Sequence, residues 1–274
     1  MSATFQLNEG DAVSWLRTLP DASANLVVTD PPYESLEKHR AVGTTTRLKV
    51  SKGSSNEWFR IFPNSRFEEL FREVHRVLEK NSHFYLFCDA ETAFVAKPIA
   101  ESVGFKFWKP LVWDKRSIGM GYHYRSRYEF ILFFEKGKRK LHNLGVPDII
   151  EAKRIRGGYP TEKPVDVSDV LIMQSTLPGE LVLDPFMGSG SAGVAAVRNG
   201  RRFQGNDIAN AALRLSRERL LAAAGEERAV HPSPRESPAA SDLQMGLAGI
   251  GVPAARPLGG PESRRSATNA LGRG

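Results

Sequence analysis

The chain predicts an α/β fold, doubly wound around a mainly parallel sheet. Apolar periodicity alternates between short β-like runs and helical stripes. Most of the runs are densely apolar, as strands buried on both faces are. Between Leu181 and Ala196 a strand, a glycine turn and a small-residue helix follow one another directly. With 41% hydrophobic and 25% charged residues among 274, the chain is long enough for one large core.

In chain order the expected strands are Thr4 to Leu7, Asn25 to Thr29, His83 to Cys88, Phe105 to Asp114, Tyr128 to Phe134, Leu181 to Leu183 and Arg202 to Gly205. The expected helices lie between them, at Ala12 to Leu19, Phe67 to Glu79, Glu91 to Ser102, Val165 to Gln174, Ser189 to Asn199 and Asn210 to Ala224. The clearest is the second, where Phe67, Leu70, Phe71, Val74, Val77 and Leu78 keep i, i+3, i+4, i+7 spacing. Two stretches lack periodicity, Glu34 to Asn64 and Lys136 to Pro160, and loops of that length are usually functional or mobile. No aromatic residue follows Phe203, and after Ala224 the chain is dominated by Ala, Gly, Pro, Ser and Arg. Residues 1–224 are therefore expected to form the domain, and residues 225–274 a disordered tail, because so little apolar surface cannot offset ordering entropy.

The net charge of +7 and isoelectric point near 9.6 bias the surface toward polyanions. The excess is local: residues 106–127 and residues 136–156 each carry a net charge of +5. A lone cysteine, Cys88, excludes an internal disulfide, and no Cys/His grouping has zinc spacing, so no metal is expected. There is no signal-peptide pattern and no apolar run of membrane-spanning length. An intracellular protein without a membrane partner is expected.

Two motifs carry chemistry. Asp30-Pro31-Pro32-Tyr33 directly follows Leu26-Val27-Val28-Thr29, at the carboxyl end of a strand, where open α/β sheets bind ligands. It offers a carboxylate, a carbonyl (Pro31) held by a rigid Pro-Pro unit, and an aromatic face. Two acceptors can each take a proton of an exocyclic amino group while Tyr33 stacks on the ring, as an amino-bearing base requires. The same four residues also read as a plain turn after a strand.

The second motif is Asp184-Pro185-Phe186-Met187-Gly188-Ser189-Gly190-Ser191. Glycines let the backbone approach a ligand, and the following helix N-terminus offers free N–H groups to a carboxylate. Gly188, Gly190 and Gly193 also spell G-x-G-x-x-G, with Asp207 ending the next strand, so a dinucleotide site competes. Asp184 discriminates: it would repel a pyrophosphate and suits an ammonium group. Asp207 can accept ribose hydroxyls in either case.

Together these residues resemble the DNA amino-methyltransferase family, specifically its β group. Asp184 to Ser191 matches the family's D-x-F-x-G-S-G-T cofactor motif with Ser for the final Thr, and Asp30 to Tyr33 matches its D/S/N-P-P-Y/F catalytic motif. The order, catalytic motif first, is that of the β group. Thr161-Glu162-Lys163-Pro164 resembles its T-x-K-P element, which helps hold the cofactor. Gly10-Asp11-Ala12 resembles its G-D element, in which Asp11 and Ala12 would face the cofactor's adenine. Gly205-Asn206-Asp207-Ile208 resembles its ribose-binding strand end, although the Pro and aromatic residue that follow in the family are replaced here by residues such as Asn210 and Ala212.

The resemblance spans residues 4–222. It implies a Rossmann-like fold, S-adenosylmethionine as cofactor and double-stranded DNA as partner. It further implies transfer to a flipped-out base and a homodimer, since the group is often dimeric, in a restriction–modification setting. The implied catalytic residues are Asp30, Pro31, Pro32 and Tyr33. Those implied for the cofactor are Asp11, Ala12, Asp30, Thr161, Lys163, Asp184, Phe186, Gly188, Ser189, Gly190, Ser191 and Asp207. Asp at the first catalytic position favours adenine N6, where the family tends to carry Ser for cytosine N4. A cytosine-N4 enzyme, a methyltransferase acting on RNA or protein, and a non-catalytic DNA-binding protein are the alternatives. Carbon-5 chemistry is disfavoured because Cys88 follows Phe87 rather than Pro. The two long loops, about 34–64 and 136–160, are the expected DNA contacts.

Overall fold

Strands whose side chains alternate between two apolar layers need helices on both faces, and this chain supplies them. The computed structural model describes residues 4–35, 60–119, 123–157, 159 and 161–230. Among these, eight strands form one sheet: β1 (Phe5–Glu9), β2 (Ala24–Thr29), β3 (Leu78–Cys88), β4 (Lys106–Asp114), β5 (Tyr128–Lys136), β6 (Ile149–Glu151), β7 (Leu181–Asp184) and β8 (Arg202–Asp207). Their spatial order is β1-β8-β7-β2-β3-β5-β4-β6. All neighbours run parallel except β3–β5 and β5–β4.

Six α-helices among the described residues cover it: α1 (Ala12–Thr18), α2 (Phe67–Val77), α3 (Ala90–Ser102), α4 (Val165–Ser175), α5 (Ser191–Arg198) and α6 (Asn210–Val230). On one face Val27, Phe84, Leu86, Leu132 and Phe134 meet α1, α2 and α3 through Val13, Leu16, Leu70, Val74 and Ala96. On the other, Leu26, Val28, Tyr85, Ile131 and Val182 meet α4, α5 and α6 through Leu171, Ala195 and Leu220. The period of two is visible within β2, where Val27 belongs to one layer and its neighbours Leu26 and Val28 to the other.

This arrangement creates a crevice. β2 and β7 lie side by side, Leu26 beside Val182 and Val27 beside Leu183. The chain leaves β2 toward α2 on one face and leaves β7 toward α5 on the opposite face. The two carboxyl ends therefore splay apart at a topological switch point, where open sheets take their ligands.

Four expectations need adjustment. β3 starts at Leu78, so α2 ends at Val77 rather than Glu79; Asn81, with φ of 65°, turns the chain inside the strand, and its Oδ1 accepts the Lys138 N–H at 2.9 Å. β6 lies within the stretch read as an aperiodic loop, and three residues are too few to show a period. α5 starts at Ser191, two residues later than expected, because Gly190 is its left-handed N-cap. α6 runs to Val230, so the boundary drawn at Ala224 falls inside a helix; residues 225–230 include two Glu, one Arg and one Ala, which are strong helix formers. The tail beyond Val230 and most of the 34–64 loop lie outside the described residues.

Candidate active site

One cavity of about 570 Å3 opens over the carboxyl ends of β1, β2, β7 and β8. Both motifs line it. Asp30, Pro31, Pro32 and Tyr33 form one wall; Asp184, Phe186, Gly188, Ser189, Ser191 and Asp207 form another. Asp11, Ala12, Thr161 and Lys163 complete the set, so every expected site residue except Gly190 faces the cavity. Gly190 acts from behind. Its φ of 75° turns the chain into α5, and a Cβ there would lie 2.8 Å from Ser216 Oγ.

The strand ends are tied together by their own carboxylates. Asp184 Oδ1 accepts from Thr29 Oγ1 at 2.7 Å and from the Phe186 N–H at 3.0 Å, which joins β7 to β2 and closes the turn. Burial pushes Asp184 up to about 7. Asp207 accepts the N–H groups of Gly188 and Ala209 at 2.9 and 2.8 Å, and burial raises it too. Ile208, 47% exposed, lines the cavity beside it, where the family carries Pro and an aromatic residue a little further on.

Asp11 is more occupied than expected. Its Oδ1 caps α1 at Ser14 N, 3.0 Å away, and both its oxygens meet the Arg66 guanidinium at 2.7 and 3.1 Å. That cation holds Asp11 well below the usual carboxylate range. Arg66 also lies 5.0 Å from the centroid of Phe62, whose ring packs edge-on against Phe186 at 5.1 Å. The result is an aromatic wall between the two motifs.

Lys163 lines the cavity and is also paired within the chain. Its ammonium is buried, hydrogen-bonded to Asp30 Oδ2 and 2.8 Å from Glu129 Oε1. Burial pushes Asp30 up to about 6 against the pull of Lys163. Tyr33 is 8% exposed, packs into the core that contains Phe62 and Phe67, and lines the cavity. The Pro32 carbonyl is taken by the Phe62 N–H at 2.7 Å, which locks the turn.

The N6/N4 methyltransferase family model, described as DNA methylase, matches residues 24–156 and 145–218. The chain belongs to this family. The type II methyltransferase M.HhaII of Haemophilus parahaemolyticus is 26% identical over 216 residues, 76% of this chain and 92% of that protein. The DNA adenine methyltransferase YhdJ of Escherichia coli is 27% identical over 251 residues, 77% and 81% of the two chains. Among solved structures, the PvuII cytosine-N4-specific DNA methyltransferase superposes with a TM-score of 0.63 at 15% identity, covering 83% of this chain and 93% of that one.

The cavity of this methylase contains further groups that motif reading passed over: Arg66, Phe62, Lys115, Glu129, Arg154 and Tyr159. A methylase acts on a polyanion, and Arg66, Lys115 and Arg154 bring positive charge to its edge. Lys115 and Arg154 belong to the two basic segments, and one more of the six left a trace in the sequence. Glu129 is a lone acid inside the apolar run Tyr128 to Phe134, and an acid buried in a strand must find a cation.

Proposed function

We propose that this DNA methylase binds S-adenosylmethionine at the β1, β7 and β8 end of the cavity. It moves the methyl group to adenine N6 of a base flipped out of duplex DNA. The observation that carries this reading is the meeting of Asp30 and Asp184 at adjacent strand ends, across the switch point, in one cavity. The donor set suits the cofactor. Asp184 offers a carboxylate to its ammonium, and the turn from Gly188 into α5 offers N–H groups to its carboxylate. Asp207 offers acceptors to its ribose. When bound, the cofactor supplies an activated methyl group on sulfur.

The chain's own residues then have three tasks. Tyr33 and the Pro31-Pro32 unit hold the base so that its amino nitrogen faces the methyl carbon, and alignment of this kind is the larger part of such catalysis. Asp30 and the Pro31 carbonyl accept the two amino protons, which localises the nitrogen lone pair as it attacks. The raised proton affinity of Asp30 strengthens that acceptance. The basic segments at 106–127 and 136–156 contact phosphates and hold the duplex.

Adenine is favoured because Asp stands at the first catalytic position, and because YhdJ, a named adenine methyltransferase, shares 27% identity. The test is product identification. Purified protein is incubated with S-adenosylmethionine and unmethylated DNA, and the DNA is digested to nucleosides for mass spectrometry. N6-methyldeoxyadenosine is expected; N4-methyldeoxycytidine would overturn the base assignment, and the absence of both would overturn the activity.

A further inference from the structure

Four charges of alternating sign run in a row along the cavity from the catalytic wall: Asp30, Lys163, Glu129 and Lys115. They come from four places in the chain, the ends of β2 and β4, the start of β5 and the turn before α4. Lys163 donates to Asp30 and meets Glu129 Oε1 at 2.8 Å as a charge, without hydrogen-bond geometry. Lys115 Nζ lies 2.8 Å from Glu129 Oε2. The row is enclosed, with side-chain exposures of 24% for Asp30, 12% for Lys163, 9% for Glu129 and 24% for Lys115. Phe87 and Trp113 back the two ammonium groups, with ring centroids 5.5 and 5.1 Å away.

A buried ion pair is weak evidence for a stabilising role, since desolvation consumes most of its attraction. β5 would pack as well with an apolar residue at position 129. Glu129 nevertheless sits where it competes with Asp30 for one cation. Paired with Lys163 alone, Asp30 would be a neutralised carboxylate with its lone pairs committed. Sharing the ammonium leaves it anionic and able to turn.

We propose that Glu129, steadied by Lys115, is a positioning residue of the transfer step, acting on the Asp30 carboxylate through the shared Lys163 ammonium. This rests on Asp30 being the group that receives the base's amino proton. The signs are specific. The charge of Glu129 raises the proton affinity of Asp30, and those of Lys163 and Lys115 lower it. The other groups facing the row are Tyr33 after β2, Cys88 and Asp89 at the end of β3, and Asp184 on β7. Burial pushes the Tyr33 phenol and the Cys88 thiol well above their ordinary ranges, so neither titrates with Asp30. Asp184 does titrate nearby, and saturating cofactor holds it in one state.

The test is the pH profile of kcat at saturating cofactor and DNA for the wild type, Glu129→Gln and Lys115→Met. In Glu129→Gln, kcat at neutral pH falls roughly 10- to 100-fold while cofactor Kd and DNA KM stay within about threefold. Its acidic limb moves to lower pH, and that of Lys115→Met moves to higher pH, each by about one unit. Limbs that stay in place or move together, with kcat within about twofold of wild type, would leave Glu129 a packing residue and overturn the proposal. If Glu129→Gln fails to fold, Lys115→Met alone decides, because its side chain is partly exposed: an upward shift supports the proposal and an unmoved limb overturns it. Failure of the underlying reading looks different. The wild type itself would then place no methyl on an amino nitrogen, and the positioning role would fall with it.

Discussion

Asp184 makes cofactor affinity depend on pH in a direction that can be worked out. Burial at the end of β7 pushes its carboxyl up to about 7, although Thr29 and the Phe186 N–H donate to it. A cofactor ammonium binds the ionised form, so binding must expel the proton that Asp184 carries at low pH, and affinity rises with pH through the titration. With the group near 7, the ionised fraction is about 3% at pH 5.5 and about 75% at pH 7.5, a ratio of roughly 25. An α-amino group itself loses its proton near pH 7.7 to 8.0, which trims the gain to roughly 15- to 19-fold and turns the curve down above about pH 7.4. Calorimetric titration from pH 5.5 to 8.5, repeated in buffers of different ionisation enthalpy, reads both affinity and proton release. Asp184→Asn keeps the oxygen that accepts from Thr29 and should bind more weakly, with a flat acidic side. A wild-type Kd unchanged between pH 5.5 and 7.5, or the same slope in Asp184→Asn, would refute the reasoning.

Further outcomes follow from other contacts. Asp30→Ala should lower methyl transfer by roughly 100- to 1000-fold, the cost of losing a directed electrostatic group, while cofactor Kd changes little, as single-turnover assays and calorimetry would show. Gly190→Leu should abolish cofactor binding in the same titration, because its Cβ would lie 2.8 Å from Ser216 Oγ and displace the Gly188 to Ser191 turn. Gly193→Ala would set a Cβ 2.6 Å from the Phe203 ring and should cost about 1–3 kcal/mol in denaturant unfolding, through overpacking between α5 and β8. Replacing Lys153, Arg154 and Arg156 together by Ala should weaken DNA binding and reduce the slope of log K against log salt by about 2 to 3, read by fluorescence anisotropy.

The two walls of the cavity were legible because each is a contiguous motif. Asp30 to Tyr33 and Asp184 to Ser191 both follow dense apolar runs, and a strand end in an open α/β sheet already says where its residues point. The alternating β and α pattern likewise prefigured the sheet and its helices. What stayed hidden depends on contacts between residues far apart in sequence. Lys163 lies 133 positions from Asp30 and Arg66 lies 55 from Asp11, yet each pair shares a hydrogen bond. No local period encodes such pairings. The family likeness assigned Lys163 and Asp11 to the cofactor, and both line the cavity; the charged partner that each also has within the chain left no trace in the motif. β6 was missed for a simpler reason, since three residues at a sheet edge carry too little pattern. The end of α6 extends past the expected one because the Glu, Arg and Ala of residues 225–230 suit a helix as well as a polar tail.

The most direct test of the account follows the methyl group itself. The wild type and Asp30→Ala are given S-adenosylmethionine with a deuterated methyl, together with unmethylated duplex DNA, and cofactor binding is measured on the same preparations. Label is expected on adenine N6 with the wild type and, at matched time, almost none with Asp30→Ala, both proteins binding the cofactor. Equal label from the two proteins, or none from a wild type that binds both cofactor and DNA, would contradict it.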